Sequence, residues 1–234
     1  MSLVDNTQTT NSIRNYALGI LVVVYTFNFI DRQILSILLE SIKTDLGLSD
    51  TSLGFLTGFA FALFYATLGI PIAKYADKGN RRNLIALSLG IWSFMTALSG
   101  LAQNFFHLLF ARIGVGIGEA GCSPPAHSMI ADYFPANKRS TALGIYSLGI
   151  PFGIMFGLFA GGWINEVFGW RLAFFVVGIP GIVLAFIFRY TVKEPIRGQA
   201  EGKVDTEKQP SIYETVSYLT VSYTHLTLPT ILRV

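Results

Sequence analysis

Six apolar blocks, each long enough to cross a bilayer, run through this chain and leave it little choice of fold. They cover residues 16–39, 52–73, 84–102, 105–130, 141–163 and 172–192, joined by short polar connections. About 20 mainly apolar residues suffice to cross the hydrocarbon core. Within lipid each isolated span must satisfy its own backbone hydrogen bonds, so all six are expected to be helices. Composition agrees: 13% of the 234 residues are charged, against about 25% in soluble domains, and the mean hydropathy is +0.52. The opening "MSLVDNTQTTNSIRN" is polar, and the apolar run after it is too long for a secretory signal. A single cysteine, Cys122, excludes a disulfide framework within the chain.

The basic residues set an orientation. Arg14, Lys74, Lys78, Arg81, Arg82, Lys138, Arg139, Arg189, Lys193, Arg197, Lys203 and Lys208 fall in the N-terminal segment, the second and fourth loops, and the tail after the sixth span. The loops between hold Lys43 and Arg171. The positive-inside rule then expects both ends of the six-helix unit in the cytoplasm. The net charge of +3 needs no nucleic acid to explain it, because these residues sit between apolar blocks.

Four charges lie deep in the spans, where each costs roughly 2.5–3.5 kcal/mol on insertion scales. Asp31 and Arg32 interrupt "YTFNFIDRQILSILL" in the first span, and Arg112 and Glu119 lie two turns apart in the fourth. At about 1.5 Å per residue, Asp31 falls between Arg112 and Glu119 in depth, so one cavity shared by the two helices would gather a balanced cluster. Charges within a membrane mark substrate or ion pathways and pair inside the bundle. A purely structural ion-pair network is the alternative, but buried pairs are poor stabilisers.

Small residues point to packing. "GIGEAG" matches a dinucleotide-binding pattern in letters but lies inside an apolar helix, whereas that site must follow a strand. Gly114 and Gly118 instead let a neighbouring backbone approach, and Gly149, Gly153, Gly157 and Gly161 form a stripe along the fifth span. Pro151 and the Pro124–Pro125 pair are expected to bend their helices. His107, His127 and Cys122 read as interfacial or packing residues, and no metal-ligand spacing, catalytic triad or phosphate loop is present.

These residues resemble the major facilitator superfamily. "AKYADKGNRRN" resembles its G-x-L-a-D-r-x-G-r-r signature between the second and third helices, with Ala73 and Asn80 in place of two glycines. The roles of Asp77, Arg81 and Arg82 carry over; the glycine packing does not. "RIGVGIGEAG" resembles the fourth-helix signature through Arg112, Gly116 and Gly118, while "GIPFGIMFG" is only loosely similar to the antiporter signature. "NFIDRQILSILLESIKTDLGLSD", "GEAGCSPPAHSMIADYFPANKRSTALGIY" and "GWRLAFFVVGIPG" look like the Spinster-like branch. The resemblance implies an all-α membrane fold, the N-terminal half of a twelve-helix secondary transporter, built from inverted three-helix repeats. "DKGNR" after the second span and "EVFGWR" after the fifth faintly echo that repeat.

The expected function is therefore proton-linked transport of an amphiphilic or anionic small molecule, of the lysolipid, sphingoid or organic acid class, by alternating access. The proton gradient supplies the energy, with no cofactor, no metal and no enzymatic step. The resemblance implies proton coupling and substrate binding at Asp31, Arg32 and Glu119, with Arg112 beside them; proton coupling is expected from Asp31 and Glu119, and substrate binding from Asp31, Arg32, Arg112, Glu119 and Asn28. A cytoplasmic gate is expected from Asp77, Arg81, Arg82 and Arg139, with Asp77 meeting Arg139 or a neighbouring helix end. The expected partners are membrane lipid, a small-molecule substrate and a missing C-terminal six-helix half. The rival is a non-transporting scaffold or a homodimerising half-transporter. The expected location is a bacterial inner membrane.

The expected organisation is a cytoplasmic segment over 1–15, the bundle over 16–193, and a linker over 194–220 towards the missing half. The stretch "VSYTHLTLPTILRV" resembles translated sequencing-adapter read-through, so 221–234 is read as a non-native tail.

Overall fold

The structure, a computed structural model, describes residues 11–202. The proposed tail and most of the expected linker lie outside the described residues. Six helical rods cover the expected spans. The first is Asn11–Leu46, the second Asp50–Lys78, the third Arg81–Ser99, the fourth Phe105–Tyr133, the fifth Ala136–Phe168 and the sixth Trp170–Thr191. All but the third are long and apolar enough to cross a membrane. The third opens with Arg81, Arg82 and Asn83, which lower its hydropathy, and its Ser88, Ser93, Thr96 and Ser99 form a polar stripe buried inside the bundle.

The rods outrun the apolar blocks that predict them. The first has 36 residues, about 54 Å at the α-helical rise, against about 30 Å of hydrocarbon. Its last turns carry Glu40, Lys43 and Asp45, which are suited to an aqueous face. Side-chain caps fix three starts: Ser49 Oγ accepts from the Ser52 N–H at 3.2 Å, Asn80 Oδ1 from the Asn83 N–H at 2.8 Å and Asn104 Oδ1 from the His107 N–H at 3.0 Å. Each satisfies an otherwise orphaned donor of a first turn.

Two rods are interrupted beside prolines, whereas Pro71 and Pro180 sit inside helices that continue. A proline lacks an N–H and crowds the carbonyl four residues back. The fourth rod is interrupted at Gly121–Cys122, between Phe105–Ala120 and Ser123–Tyr133, just before Pro124 and Pro125. The fifth is interrupted at Leu148, between Ala136–Ser147 and Gly149–Phe168, three residues before Pro151. The second contains a π-helical turn at Phe55–Phe59.

The main packing pairs are first on fifth, second on fourth, third on fourth and third on sixth, with the sixth also against the first. Exchanging first with fourth, second with fifth and third with sixth turns first-on-fifth into second-on-fourth and leaves third-on-sixth unchanged. That is the pattern two inverted three-helix repeats produce. It orders the rods second, fourth, third, sixth, first, fifth.

Glycine makes these contacts close. Gly149, Gly153, Gly157 and Gly161 are all buried. A Cβ on Gly153 would lie 2.6 Å from Thr26 O, and one on Gly149 2.9 Å from Tyr25 Cβ, so the stripe lets the fifth rod lie directly on the first. Gly118 plays the same part between fourth and third, where a Cβ would stand 2.7 Å from Trp92 N. Gly114 faces Met95 of the third rod, and Gly116 turns to the second, where a Cβ would stand 3.0 Å from Phe61 O.

Candidate functional site

The first rod turns Asp31 and Arg32 to different neighbours, because successive residues point about 100° apart around a helix. Asp31 faces the third and fourth rods. Its Oδ2 accepts a hydrogen bond from Thr96 Oγ1, and its Oδ1 lies 3.8 Å from Arg112 Nη1. Arg32 reaches across to the fourth rod, where its Nε donates to Glu119 Oε2 at 2.6 Å. The four charges thus meet as two crossed pairs. Each acid is held by the arginine of the opposite rod, and Thr96 steadies Asp31 from the side.

Burial separates their roles. Asp31, Arg112 and Glu119 are at most 3% exposed, whereas the Arg32 side chain keeps 30% of its surface open. Arg32 also lies against three aromatic rings, those of Phe29, Phe61 and Tyr65, with Cζ 5.1–5.3 Å from each centroid. Arg112 Cζ is 5.5 Å from the Phe61 centroid. Aromatic faces stabilise a cation without removing its charge.

The cluster is incompletely satisfied. Glu119 Oε1, Asp31 Oδ1, Arg112 Nε and Asn28 Oδ1 are buried without a hydrogen-bond partner. Asn28 lies one turn before Arg32 and is 1% exposed. An unsatisfied buried polar atom costs about 1–3 kcal/mol, and four in one place suit a polar ligand with both donors and acceptors. Among the described residues no group of His, Cys, Asp or Glu side chains is placed to hold a metal ion.

At the end of the bundle where the first rod begins, Arg81 is the centre of a second network. It is 1% exposed. Its Nε donates to Glu194 Oε1 at 2.8 Å, Nη1 to Ser128 Oγ at 2.8 Å and to Asp132 Oδ2, and Nη2 to Pro195 O at 3.0 Å. The Arg82 main-chain N–H donates to Glu194 Oε2 at 2.7 Å. Arg197 Nη2 donates to Ala76 O and Gly79 O, both at 2.7 Å, and closes the end of the second rod. Arg139 Nη2 donates to Ala131 O at 2.9 Å and Glu201 Oε1 at 3.0 Å. Asp77 is exposed. The start of the stretch expected to be a linker is therefore docked under the second, third and fourth rods.

Sequence reasoning missed Asp132, Glu194 and Arg197. An acid in the last turn of the fourth span and another directly after the sixth were the available signal. At the opposite end, Arg171 donates to Asp45 Oδ2 and to Ala102 O, the latter at 3.1 Å, and Trp170 Nε1 donates to Asp45 Oδ2 at 3.2 Å. Under the repeat exchange, Arg171 corresponds to Arg81 and Asp45 to Asp132. The echo of "DKGNR" in "EVFGWR" thus has a physical counterpart: one arginine clamp on each face of the bundle.

Comparison with known proteins gives a consistent set of likenesses. The family model described as Major Facilitator Superfamily matches residues 21–229. An "MFS-type efflux pump" of Mycolicibacterium smegmatis is 42% identical over 169 residues, covering 72% of this chain and 39% of that protein. The "Probable galactarate/D-glucarate transporter GudP" of Bacillus subtilis is 37% identical over 191 residues, 79% of this chain and 42% of that protein. Among solved structures, the inward-facing, unoccupied crystal structure of a bacterial homolog to the human lysosomal transporter Spinster superposes with a TM-score of 0.78 at 40% identity. It covers 91% of this chain and 50% of that one. The chain spans about 40% of the length of the curated relatives it matches.

Proposed function

The chain belongs to the major facilitator superfamily, and from that premise we propose that it is the N-terminal half of a proton-linked transporter for small organic anions. The observation that carries this reading is Arg32, a half-open cation held between a buried carboxylate and three aromatic rings. A substrate carboxylate reaching Arg32 competes with Glu119 for the same guanidinium. Once displaced, Glu119 is a buried charge without a partner, which is strongly disfavoured. It then binds a proton. Arrival of the anion and uptake of the proton are linked because one arginine cannot fully serve two carboxylates.

Arg112 and Asp31 hold the opposite balance. Arg112 stays paired while Arg32 changes partner, so the pocket keeps one positive charge for the substrate. Asn28 supplies an unsatisfied carbonyl oxygen for a substrate hydroxyl. Sugar acids combine carboxylate and hydroxyl groups, and the galactarate/D-glucarate likeness favours that class over lysolipids or sphingoid molecules. The relatives compared are named as transporters and an efflux pump, and an enzymatic role has no support among them.

Alternating access requires a second six-helix half to rock against. Supporting this, the second and fifth rods are the least covered, with 17% and 28% of their apolar windows buried. A second copy of this chain is the rival occupant of that face. Orientation with both ends cytoplasmic, in a bacterial inner membrane, is supported by the basic residues gathered at one end of the bundle, against Lys43 and Arg171 at the other. The Arg81 network, with Asp77, Arg82 and Arg139 around it, is the proposed cytoplasmic gate.

The test is uptake of labelled D-glucarate into proteoliposomes containing the full-length gene product under an imposed pH gradient. The expected result is accumulation in the wild type and none in Arg32→Ala. Accumulation by Arg32→Ala at the wild-type rate would refute the reading.

A further inference from the structure

We propose that the groove between the third and sixth rods is a binding site for a phospholipid with an anionic headgroup. The groove has a volume of about 490 Å³. Leu87 and Phe94 form one wall and Phe186 the other, and all three side chains are exposed. Ala86, Gly90 and Ala185 form the floor. A Cβ on Gly90 would meet only Ala185 Cβ, at 3.8 Å, so the hollow exists because these residues are small.

Its dimensions fit an acyl chain. From Asn83 to Phe94 the third rod rises about 17 Å, close to half of the roughly 30 Å hydrocarbon core. The groove therefore runs from the headgroup level to about the midplane, the depth of one leaflet. The charge cluster is built on the first and fourth rods, with Thr96 of the third against Asp31. None of the cluster's residues lines the groove, so it is distinct from the proposed substrate cavity.

The headgroup end selects the charge. Arg189 and Tyr190 line it in the last turn of the sixth rod, next to Asn83. Arg189 lies over the Tyr190 ring at 5.8 Å, and among the described residues no carboxylate pairs with it. The nearest acid in sequence, Glu194, is committed to Arg81 and the Arg82 N–H. Among the described residues Arg189 thus presents a charge that no carboxylate neutralises, at the level where a lipid phosphate sits. One such charge near an anionic surface corresponds to about a fivefold preference. The proposal is independent of the transport reading, since it concerns neither Arg32 nor Glu119.

The experiment is native mass spectrometry of the full-length gene product released from micelles holding equal amounts of phosphatidylglycerol and phosphatidylcholine. The expected result is a one-lipid adduct favouring phosphatidylglycerol about fivefold. Arg189→Gln is expected to remove the preference, and Gly90→Leu, which fills the groove floor, to reduce adducts of both lipids. Lys138→Gln, on the fifth rod, serves as the control for simple loss of charge and is expected to change neither. Equal retention of the two lipids by the wild type overturns the proposal, as does retention that neither groove substitution alters. Adducts seen only at the mass of a dimer would assign the groove to a second copy and overturn it too.

Discussion

Arg32 Nε and Glu119 Oε2 are 2.6 Å apart although 87 residues separate them in the chain. This contact bridges the first and fourth rods at the one place where an arginine of the cluster remains open. Removing one partner should therefore behave differently from removing both. Arg32→Ala strands a buried carboxylate and is expected to cost about 3–5 kcal/mol. The double variant Arg32→Ala/Glu119→Gln is expected to recover most of that loss. Thermal unfolding in detergent micelles, run as a double-mutant cycle, reads the coupling. Additive losses would show that the two groups do not depend on each other.

The glycine stripe makes a sharper packing prediction. Gly153→Val places a branched side chain where even a Cβ would stand 2.6 Å from Thr26 O. Overpacking of this kind costs about 1–3 kcal/mol. Gly162→Ala, in the same helix, meets nothing within 4 Å and is expected to stabilise by about 0.5–1 kcal/mol. Opposite shifts in melting temperature for the two variants confirm the close first-on-fifth contact; shifts of the same sign count against it.

The buried Arg81 ties down the chain after the sixth rod through Glu194 and Pro195. Arg81→Gln should loosen that segment, and with it Arg197, whose guanidinium closes the second rod. Limited trypsin digestion is expected to cut after Arg197 faster in the variant than in the wild type. Equal rates would mean that the segment is held independently of Arg81.

At the other face, Asp45 lies beyond the apolar part of the first rod, and the hydrogen bond from Arg171 holds its carboxyl below the ordinary aspartate range, with a smaller contribution from Trp170. A lowered folded-state pKa gives stability that is fully present above the unfolded value, about 3.9. It is lost as pH falls through the folded value. Trp170 fluorescence should therefore hold steady from pH 7 to about 4 and change only at more acid pH. Asp45→Asn should flatten that acid transition. A wild-type transition near pH 6, or one unchanged in Asp45→Asn, would contradict the clamp.

Much of this architecture was legible because lipid leaves few options. Apolar length gave the six spans, and the prolines at 124, 125 and 151 gave the two breaks. The glycine spacing foretold a close contact. Charges costly enough to demand a reason drew attention to Asp31, Arg32, Arg112 and Glu119. The crossed pairing was not legible, because it depends on which way adjacent residues turn once the rods pack. Thr96 was hidden for the same reason, although Ser88, Ser93, Thr96 and Ser99 recur at near-helical spacing and could have marked a buried polar face. Arg81 was expected at the gate, but its partners were not legible, because Asp132 and Glu194 lie 51 and 113 residues away.

The most direct test of the account is whether substrate binding itself takes up a proton. Adding an anionic sugar acid to the full-length protein in weakly buffered detergent solution, with a pH-indicator dye, reads this without a membrane gradient. Exchange of Arg32 from Glu119 to the substrate predicts alkalinisation in step with binding, and none in Glu119→Gln even where that variant still binds. Binding without proton uptake in the wild type, or uptake that survives Glu119→Gln, would contradict it.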